Sequence, residues 1–131
     1  MRPKSVRDIM TRRLVTFSPE TNVLAAIDTL IKHKISGAPV LDKQGKLVGM
    51  LSEIDTMETL IHSSYHGEGG GCVRDFMSTN VVTVDPEMGI IDLAGFFQKK
   101  RYRRLPVMEH GELIGQVSRR DVLKAIQHLT S

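Results

Sequence analysis

Two short segments of the chain carry residue types that suit a nucleotide. Ser52 and Asp55 belong to the first Gly-x-x-Ser-x-x-Asp pattern, and Ser118 and Asp121 belong to the second. Each serine is expected to begin a helix, where unpaired backbone N–H groups and the positive end of the helix dipole favour a phosphate or another anion. The aspartate falls on the same side of the first turn, and a carboxylate that accepts two hydrogen bonds suits a ribose diol. The glycine that opens each pattern is expected to let a ligand or a neighbouring strand approach closely.

The same residues also make a good helix N-terminus without any ligand. A serine N-cap with an aspartate in the first turn stabilises a helix by about 1 kcal/mol. For a single occurrence this is the simpler interpretation. Recurrence at equivalent places favours binding, and for either site taken alone the capping interpretation stays open.

The sequence repeats itself once along its length. Residues 6–10, Val-Arg-Asp-Ile-Met, return as residues 73–77, Val-Arg-Asp-Phe-Met, and Pro39-Val40 returns as Pro106-Val107. So long a period indicates two similar supersecondary units and not a solenoid of many short repeats. Neither half alone would bury much apolar surface, so we expect the halves to share one core.

Hydrophobic period and turn residues predict the first half of each copy. In the first copy we expect a short helix from Ser5 through residue 12 and a brief strand at residues 14–17. Thr21 or Asn22 is then expected to cap a long helix.

The second half of each copy is predicted to be a hairpin followed by a helix. Residues 38–41 and 47–51 form the two strands, and Ser52 begins the helix. The second copy repeats this layout and ends in a helix over residues 119–129. The apolar positions that we expect to be buried in the two long helices of the first copy are Val23, Ala26, Ile27, Leu30, Ile31, Ile54, Met57, Leu60 and Ile61.

The predicted fold class is α/β (α+β), with two β-α-β-β-α subdomains related by a pseudo-two-fold axis. The first repeat occupies residues 1–63 and the second occupies residues 73–131. Residues 64–72 between them contain four glycines, which is the composition of a flexible linker.

The doubled series of motifs resembles a tandem pair of cystathionine-β-synthase (CBS) domains, called a Bateman module. The motifs are V-R-D-x-M, V-T-x-x-P-E, h-P-V and h-h-G-x-h-S-x-x-D, where h is apolar, and all occur twice in the same order. Each motif alone is weak evidence, and the resemblance covers the chain except for the glycine segment and the extreme termini. It implies two subdomains of the CBS fold.

The resemblance also implies the rest of each cleft. In CBS modules the matching aspartate holds ribose, and the base lies against apolar residues around the first two strands. Basic residues just before h-P-V reach phosphates, so a phosphate tail is expected on the second-copy side, with Arg119 as a further contact. The implied residues are Thr16, Ile35, Gly37, Ala38 and Pro39 in the first copy and Thr83, Tyr102, Arg103, Arg104, Leu105 and Pro106 in the second.

From these residues we expect a non-catalytic regulatory module that binds an adenosyl ligand. AMP, ADP or ATP is the expected ligand, NADH and S-adenosylmethionine are further candidates, and no cofactor, metal site or catalytic group is expected. The helices carry more apolar surface than one small core needs, which favours a homodimer. Signalling would then pass through dimer geometry or through a regulated protein partner.

Composition narrows the alternatives. The chain has 131 residues, a net charge of +3, one cysteine and no tryptophan, and no apolar run reaches the roughly 20 residues that a membrane span needs. We therefore expect a cytoplasmic protein. The basic residues 99–104 leave open a nucleic-acid-binding protein, although neither a groove-reading helix nor stacking aromatics can be identified. A nucleotide-hydrolysing enzyme is the third hypothesis.

Overall fold

The computed structural model describes residues 2–66 and 70–130, and its order of elements repeats once. This repetition confirms the predicted mixed class of helices and strands. The elements are α1 (Val6–Ile9), α2 (Val23–His33), β1 (Gly37–Leu41), β2 (Leu47–Ser52), α3 (Glu53–His66), α4 (Val73–Phe76), α5 (Ile90–Lys99), β3 (Arg104–Glu109), β4 (Glu112–Ser118) and α6 (Arg119–Thr130).

The chain forms two compact units, and their boundaries differ from those of the sequence repeats. The first unit is residues 15–81, and the second unit is residues 1–14 together with residues 82–131. Each unit therefore takes its short lead-in helix, α4 in the first unit and α1 in the second, from the start of the other repeat. Helix α3 extends three residues into the predicted linker, and linker residues 67–69 lie outside the described residues.

The lead-in helices are shorter than the sequence predicts, because the chain turns to pair with a hairpin. Helix α1 ends at Ile9, and Met10 is already extended, with φ −68° and ψ 154°. In the second unit Thr11 exchanges two backbone hydrogen bonds of 2.8 and 3.0 Å with Gln116 of β4. In the first unit Ser78 makes the same exchange with Met50 of β2, at 2.9 Å for both bonds.

The strand predicted at residues 14–17 is reduced to a single parallel bridge between Phe17 and Val40. The Phe17 N–H donates to the Pro39 carbonyl at 2.9 Å, and the Leu41 N–H donates to the Phe17 carbonyl at 2.8 Å. The second unit has the matching bridge between Val84 and Val107. The named strands form only two antiparallel hairpins, β1 with β2 and β3 with β4.

Each unit has its own apolar core, and a lead-in valine is part of it. Val73 of α4 is fully buried in the core of the first unit, and Val6 of α1 is fully buried in that of the second. Helix α2 begins as predicted, because the Asn22 side chain accepts hydrogen bonds from the N–H groups of Leu24 and Ala25 at 2.9 and 3.2 Å.

The prediction of buried apolar positions is wrong for all four residues named on α3 and for one residue of α2. Ile54, Met57, Leu60 and Ile61 are 78, 61, 75 and 51% exposed. Among residues 53–61 of α3, only Thr59 is buried, with 5% of its surface exposed, and the apolar stripe lies on another side of the helix. On α2, Ile31 is exposed as well, although it belongs to the predicted stripe.

A glycine in each hairpin allows the lead-in segment to lie directly on the strand. A Cβ atom added to Gly115 would lie 2.8 Å from both the Met10 Sδ and the Thr11 carbonyl oxygen. One added to Gly49 would lie 2.6 Å from the Met77 Sδ and would also crowd the adjacent backbone. The close approach expected at these glycines is therefore made by neighbouring protein backbone.

Substituting Gly115 should destabilise the second unit. We expect Gly115→Ala to lower the free energy of unfolding by about 1–3 kcal/mol, because the added methyl group must displace the lead-in backbone. Gly95→Ala is the matched control, since Gly95 lies inside α5 with no atom within 4 Å of an added Cβ. It should raise the stability by about 0.5–1 kcal/mol. Urea unfolding of both variants measures this, and equal stability of Gly115→Ala and wild type would contradict the packing argument.

Candidate functional site

The Ser-x-x-Asp residues cap the helices that follow the two hairpins. The Ser52 N–H donates to Asp55 Oδ2 at 2.9 Å, and the Asp55 N–H donates to Ser52 Oγ at 3.2 Å. Ser118 and Asp121 make the same reciprocal pair at 2.8 and 3.1 Å. Both are capping boxes, with aspartate in the place of the usual glutamate or glutamine. The capping interpretation of these residues is therefore correct as a description of the structure.

Capping uses only part of each carboxylate. Within the described ranges, the Oδ1 atoms of Asp55 and Asp121 have no hydrogen-bond partner. Both aspartates are half-buried, so their carboxylates are held in place while one oxygen stays available. Capping and ligand binding are compatible uses of the same side chain.

The hairpin brings the residues before h-P-V to the start of the following helix. Gly37 lies opposite Ser52 across β1 and β2, and Arg104 lies opposite Ser118 across β3 and β4. The Arg119 N–H donates to the Arg103 carbonyl at 3.1 Å. The predicted phosphate contacts are thus adjacent in the second unit, whereas the first unit has glycine at the position of Arg104.

The apolar residues proposed to contact the base are mostly buried in this structure. Ala38 and Leu105 are 0 and 1% exposed, and Pro39 and Pro106 are below 2%. The prolines contribute their carbonyl oxygens to backbone hydrogen bonds within their own units. Strand burial therefore leaves these four side chains without surface to offer a ligand in this conformation.

The remaining predicted residues differ in exposure. Thr16 and Thr83 are exposed, and Ile35 is half-buried against the core of the first unit. Tyr102 packs on the core of the second unit and stacks on Phe96, with ring centroids 6.0 Å apart and planes inclined by 14°. Core packing therefore accounts for Tyr102.

A cavity of about 580 Å³ lies within the second unit, between the N-terminal segment and α6. Of the predicted site residues only Asp121 lines it. The other lining residues are Arg2, Pro3, Lys4, Asp8, Ile9, Lys124, Ala125 and His128. Helical spacing from Asp121 could have identified the α6 members, whereas the N-terminal members depend on where the lead-in segment docks.

Backbone donors and one arginine set the electrostatics around α1. Asp8 accepts hydrogen bonds from the N–H groups of Lys4 and Ser5 at 2.7 and 3.1 Å, which lower the pKa of its carboxyl. The Arg7 guanidinium hydrogen-bonds to Glu109 and, at 3.0 Å, to Glu87. These contacts raise the pKa of Arg7, and the bond from Arg7 lowers the pKa of Glu109. Charge pairing thus ties the lead-in helix to β3.

The described residues contain neither a membrane-spanning helix nor a cluster of metal ligands. Over residues 2–66 and 70–130, no helix has both the length and the apolarity to cross a membrane. In that same part of the chain, no three His, Cys, Asp or Glu side chains come together as metal ligands.

Known proteins resemble the chain over nearly its whole length. The family described as CBS domain matches residues 6–62 and 73–128. The uncharacterized protein MJ1426 of Methanocaldococcus jannaschii is 32% identical over 155 aligned positions, which cover 92% of this chain and 90% of that protein. The CBS domain-containing protein YhcV of Bacillus subtilis is 31% identical, with 90% and 82% covered.

A solved structure shows the same likeness. The crystal structure of CBSX2 in complex with AMP, a CBS-pair protein from Arabidopsis thaliana, matches with a TM-score of 0.86 at 30% identity. The match covers 98% of this chain and 100% of that one.

The Arg7 contacts predict how stability depends on pH. The pKa of Glu109 is lower in the folded chain than its ordinary value of 4.5, so its stabilising effect is present above that value and is lost as the pH falls through the folded pKa. We expect the free energy of unfolding to decrease as the pH falls below 4.5, and to decrease less in Glu109→Gln.

The control for this prediction is Glu112→Gln, which changes an exposed carboxylate on the same hairpin. Urea unfolding at several pH values should give wild-type dependence for this variant. If Glu109→Gln retains the full acid dependence, the Arg7 contact does not contribute.

Proposed function

This chain belongs to the CBS domain family, with one domain in each half, and we propose that it is a non-catalytic regulatory module that binds an adenine nucleotide or a related adenosyl ligand. The single observation that carries the proposal is the duplicated Ser-x-x-Asp cap with its unused Oδ1 atom. That oxygen is the acceptor that a ribose hydroxyl would meet. The related CBSX2 protein, 30% identical over nearly the full chain, forms a complex with AMP, and this supports an adenosyl ligand here.

The cap prepares the carboxylate for binding. Because Oδ2 of each aspartate is held by the serine N–H, the side chain loses little rotational freedom when a ligand arrives. The same helix N-terminus supplies a positive dipole end near the ligand. Binding therefore uses an arrangement that folding has already fixed.

A second copy of the chain is the partner that we propose for the exposed apolar helices. Helices α2 and α3 pack together in the first unit, and α5 and α6 pack together in the second. Both helix pairs expose large apolar side chains, so each chain presents two similar apolar faces. In a symmetric dimer, such faces are buried against those of the second copy. The exposed residues are Leu24, Ile31, Ile54, Met57, Leu60 and Ile61 on the first pair and Ile91, Leu123 and Ile126 on the second.

Signalling follows from these two proposals together. A ligand changes the output only if it binds two dimer arrangements with different affinity. The α3 and α6 helices begin at the ligand-binding aspartates and carry the proposed dimer faces, so they connect the two. We propose a cytoplasmic location, where a single cysteine suits the reducing conditions, and a regulated protein as the downstream partner.

Ligand binding should depend on both aspartates. We expect calorimetric titration to show binding of AMP, with ADP, ATP, NADH and S-adenosylmethionine as comparisons. Asp55→Asn and Asp121→Asn each keep an oxygen that can accept the serine N–H but lose the carboxylate charge, so each should weaken its own site by about tenfold or more.

Asp42→Asn is the matched control for these variants. Asp42 accepts the N–H groups of Gln44 and Lys46, both at 2.9 Å, in the turn between β1 and β2, and it belongs to no Ser-x-x-Asp pattern. Its substitution should leave affinity unchanged. Wild-type affinity in both of the Asp55 and Asp121 variants, or no heat from any adenosyl compound at millimolar concentration, would refute the proposal.

Dimerisation should depend on the exposed stripe of α3. We expect the 14.6 kDa chain to sediment as a dimer and Leu60→Glu to sediment as a monomer, because the new charge would be buried in the dimer interface. Gln44→Glu adds the same charge at an exposed turn and should remain dimeric. A wild-type monomer at high micromolar concentration would contradict this interface.

A further inference from the structure

We propose that the dimer pairs unlike faces. The first face is the exposed side of α2 and α3, and the second face is the exposed side of α5 and α6. The first face of one copy packs against the second face of the other, and two-fold symmetry then forms the same contact twice. This inference rests on the proposed function, which gives these faces a second copy as partner but does not say which face meets which. The charges beside the apolar residues decide the order.

The first face is acidic. Glu53 and Glu58 are exposed on α3, and each lies four residues from a member of its exposed apolar stripe, so both flank that stripe. On α2, Asp28 is exposed between two members of the apolar stripe of that helix. Over α2 and residues 53–61, the only exposed lysine or arginine is Lys32. Carboxylates therefore dominate the surroundings of the apolar residues on this face.

The second face is basic. Two arginines lie three and four residues before Leu123 of α6, next to it on the exposed side of the helix. The only exposed carboxylate on the described residues of α5 and α6 is Asp92. The exposed lysines and arginines of these two helices are Lys99, Arg119, Arg120 and Lys124. Cations therefore outnumber carboxylates on this face.

The sign of the charge reverses at equivalent positions of α3 and α6. Counted from the serine that begins each helix, Glu53 corresponds to Arg119 and Glu58 corresponds to Lys124. In the described part of the chain none of these four side chains forms a salt bridge. Their charges are therefore available to a second copy, and the two faces share an apolar stripe but carry opposite charges beside it.

Opposite charges favour contacts between unlike faces. If like faces met, the carboxylates of two first faces would repel one another. Two second faces would meet with three large apolar side chains and four cations each, and these cations would repel one another as well. Pairing of unlike faces replaces both repulsions by attraction and still buries the apolar residues of each face. Charge thus disfavours one dimer and favours the other.

Salt provides a test on the unchanged chain. Raising NaCl from about 0.05 to about 0.5 M screens attraction between unlike faces, so the dimer dissociation constant should increase severalfold. Pairing of like faces predicts the opposite sign, because screening would then relieve repulsion. Sedimentation equilibrium without added ligand measures this constant. A dissociation constant that decreases or does not change with salt would overturn the inference.

Charge reversal tests each face directly. The chain with Glu53→Arg and Glu58→Arg has a reversed first face, and the chain with Arg119→Glu and Arg120→Glu has a reversed second face. Each should dimerise at least tenfold more weakly than wild type, because its two faces now carry charges of the same sign. All four changes in one chain make the faces opposite again and should restore dimerisation to within severalfold of wild type.

This restoration makes the test independent of any loss of folding, and thermal melting of each variant confirms that it is folded. The matched control carries Glu20→Arg and Glu112→Arg, which change the net charge as much as the first-face reversal does. Both residues are exposed and lie outside the four helices, so this chain should dimerise like wild type.

The outcomes separate this inference from the proposed function. If like faces pair, a reversed face still meets a copy of itself, so both single-face variants should dimerise like wild type. That result, or a chain with all four changes that stays monomeric, would overturn the pairing of unlike faces while leaving the dimer in place. If the wild-type chain is monomeric at high micromolar concentration, the proposed dimer itself fails and this inference fails with it.

Discussion

Each unit depends on the contact between a lead-in segment and a hairpin glycine. Met10 and the backbone at Thr11 occupy the space that a side chain at Gly115 would need, and Met77 does the same at Gly49. The contact is fixed by paired backbone hydrogen bonds and by a buried valine in each lead-in helix. Because the lead-in of each repeat completes the unit of the other, neither repeat contains a whole core in its own continuous sequence.

This exchange also determines what surrounds the candidate site. Docking of α1 onto the second unit places the chain before it beside α6, and the cavity that reaches Asp121 is the result. The aspartate itself is oriented by its cap, whose geometry is the same in both units. Folding therefore fixes the carboxylate in the same way in both units.

The sequence predicted what depends on local order. Capping by Asn22, the two hairpins, the Ser-x-x-Asp helix starts and the resemblance to a CBS pair are confirmed. It did not predict the exchange of lead-ins, because nearly identical motifs at the start of each repeat do not specify which hairpin they join. It also misplaced Ile54 and Leu60, because a helical period identifies an apolar stripe but not whether that stripe faces the core or a partner.

The charges around the lead-in helices show how far the two units have diverged. Arg7 joins Glu87 and Glu109 in the second unit, but the carboxylate at the matching hairpin position of the first unit is the shorter Asp42. Asp42 Oδ1 instead accepts the N–H groups of Gln44 and Lys46 in its own turn. Hydrogen bonds to the backbone depend on geometry that both units share, and the duplicated fold therefore keeps them. Side-chain charge pairs depend on which residues stand at each position, and they differ between the units.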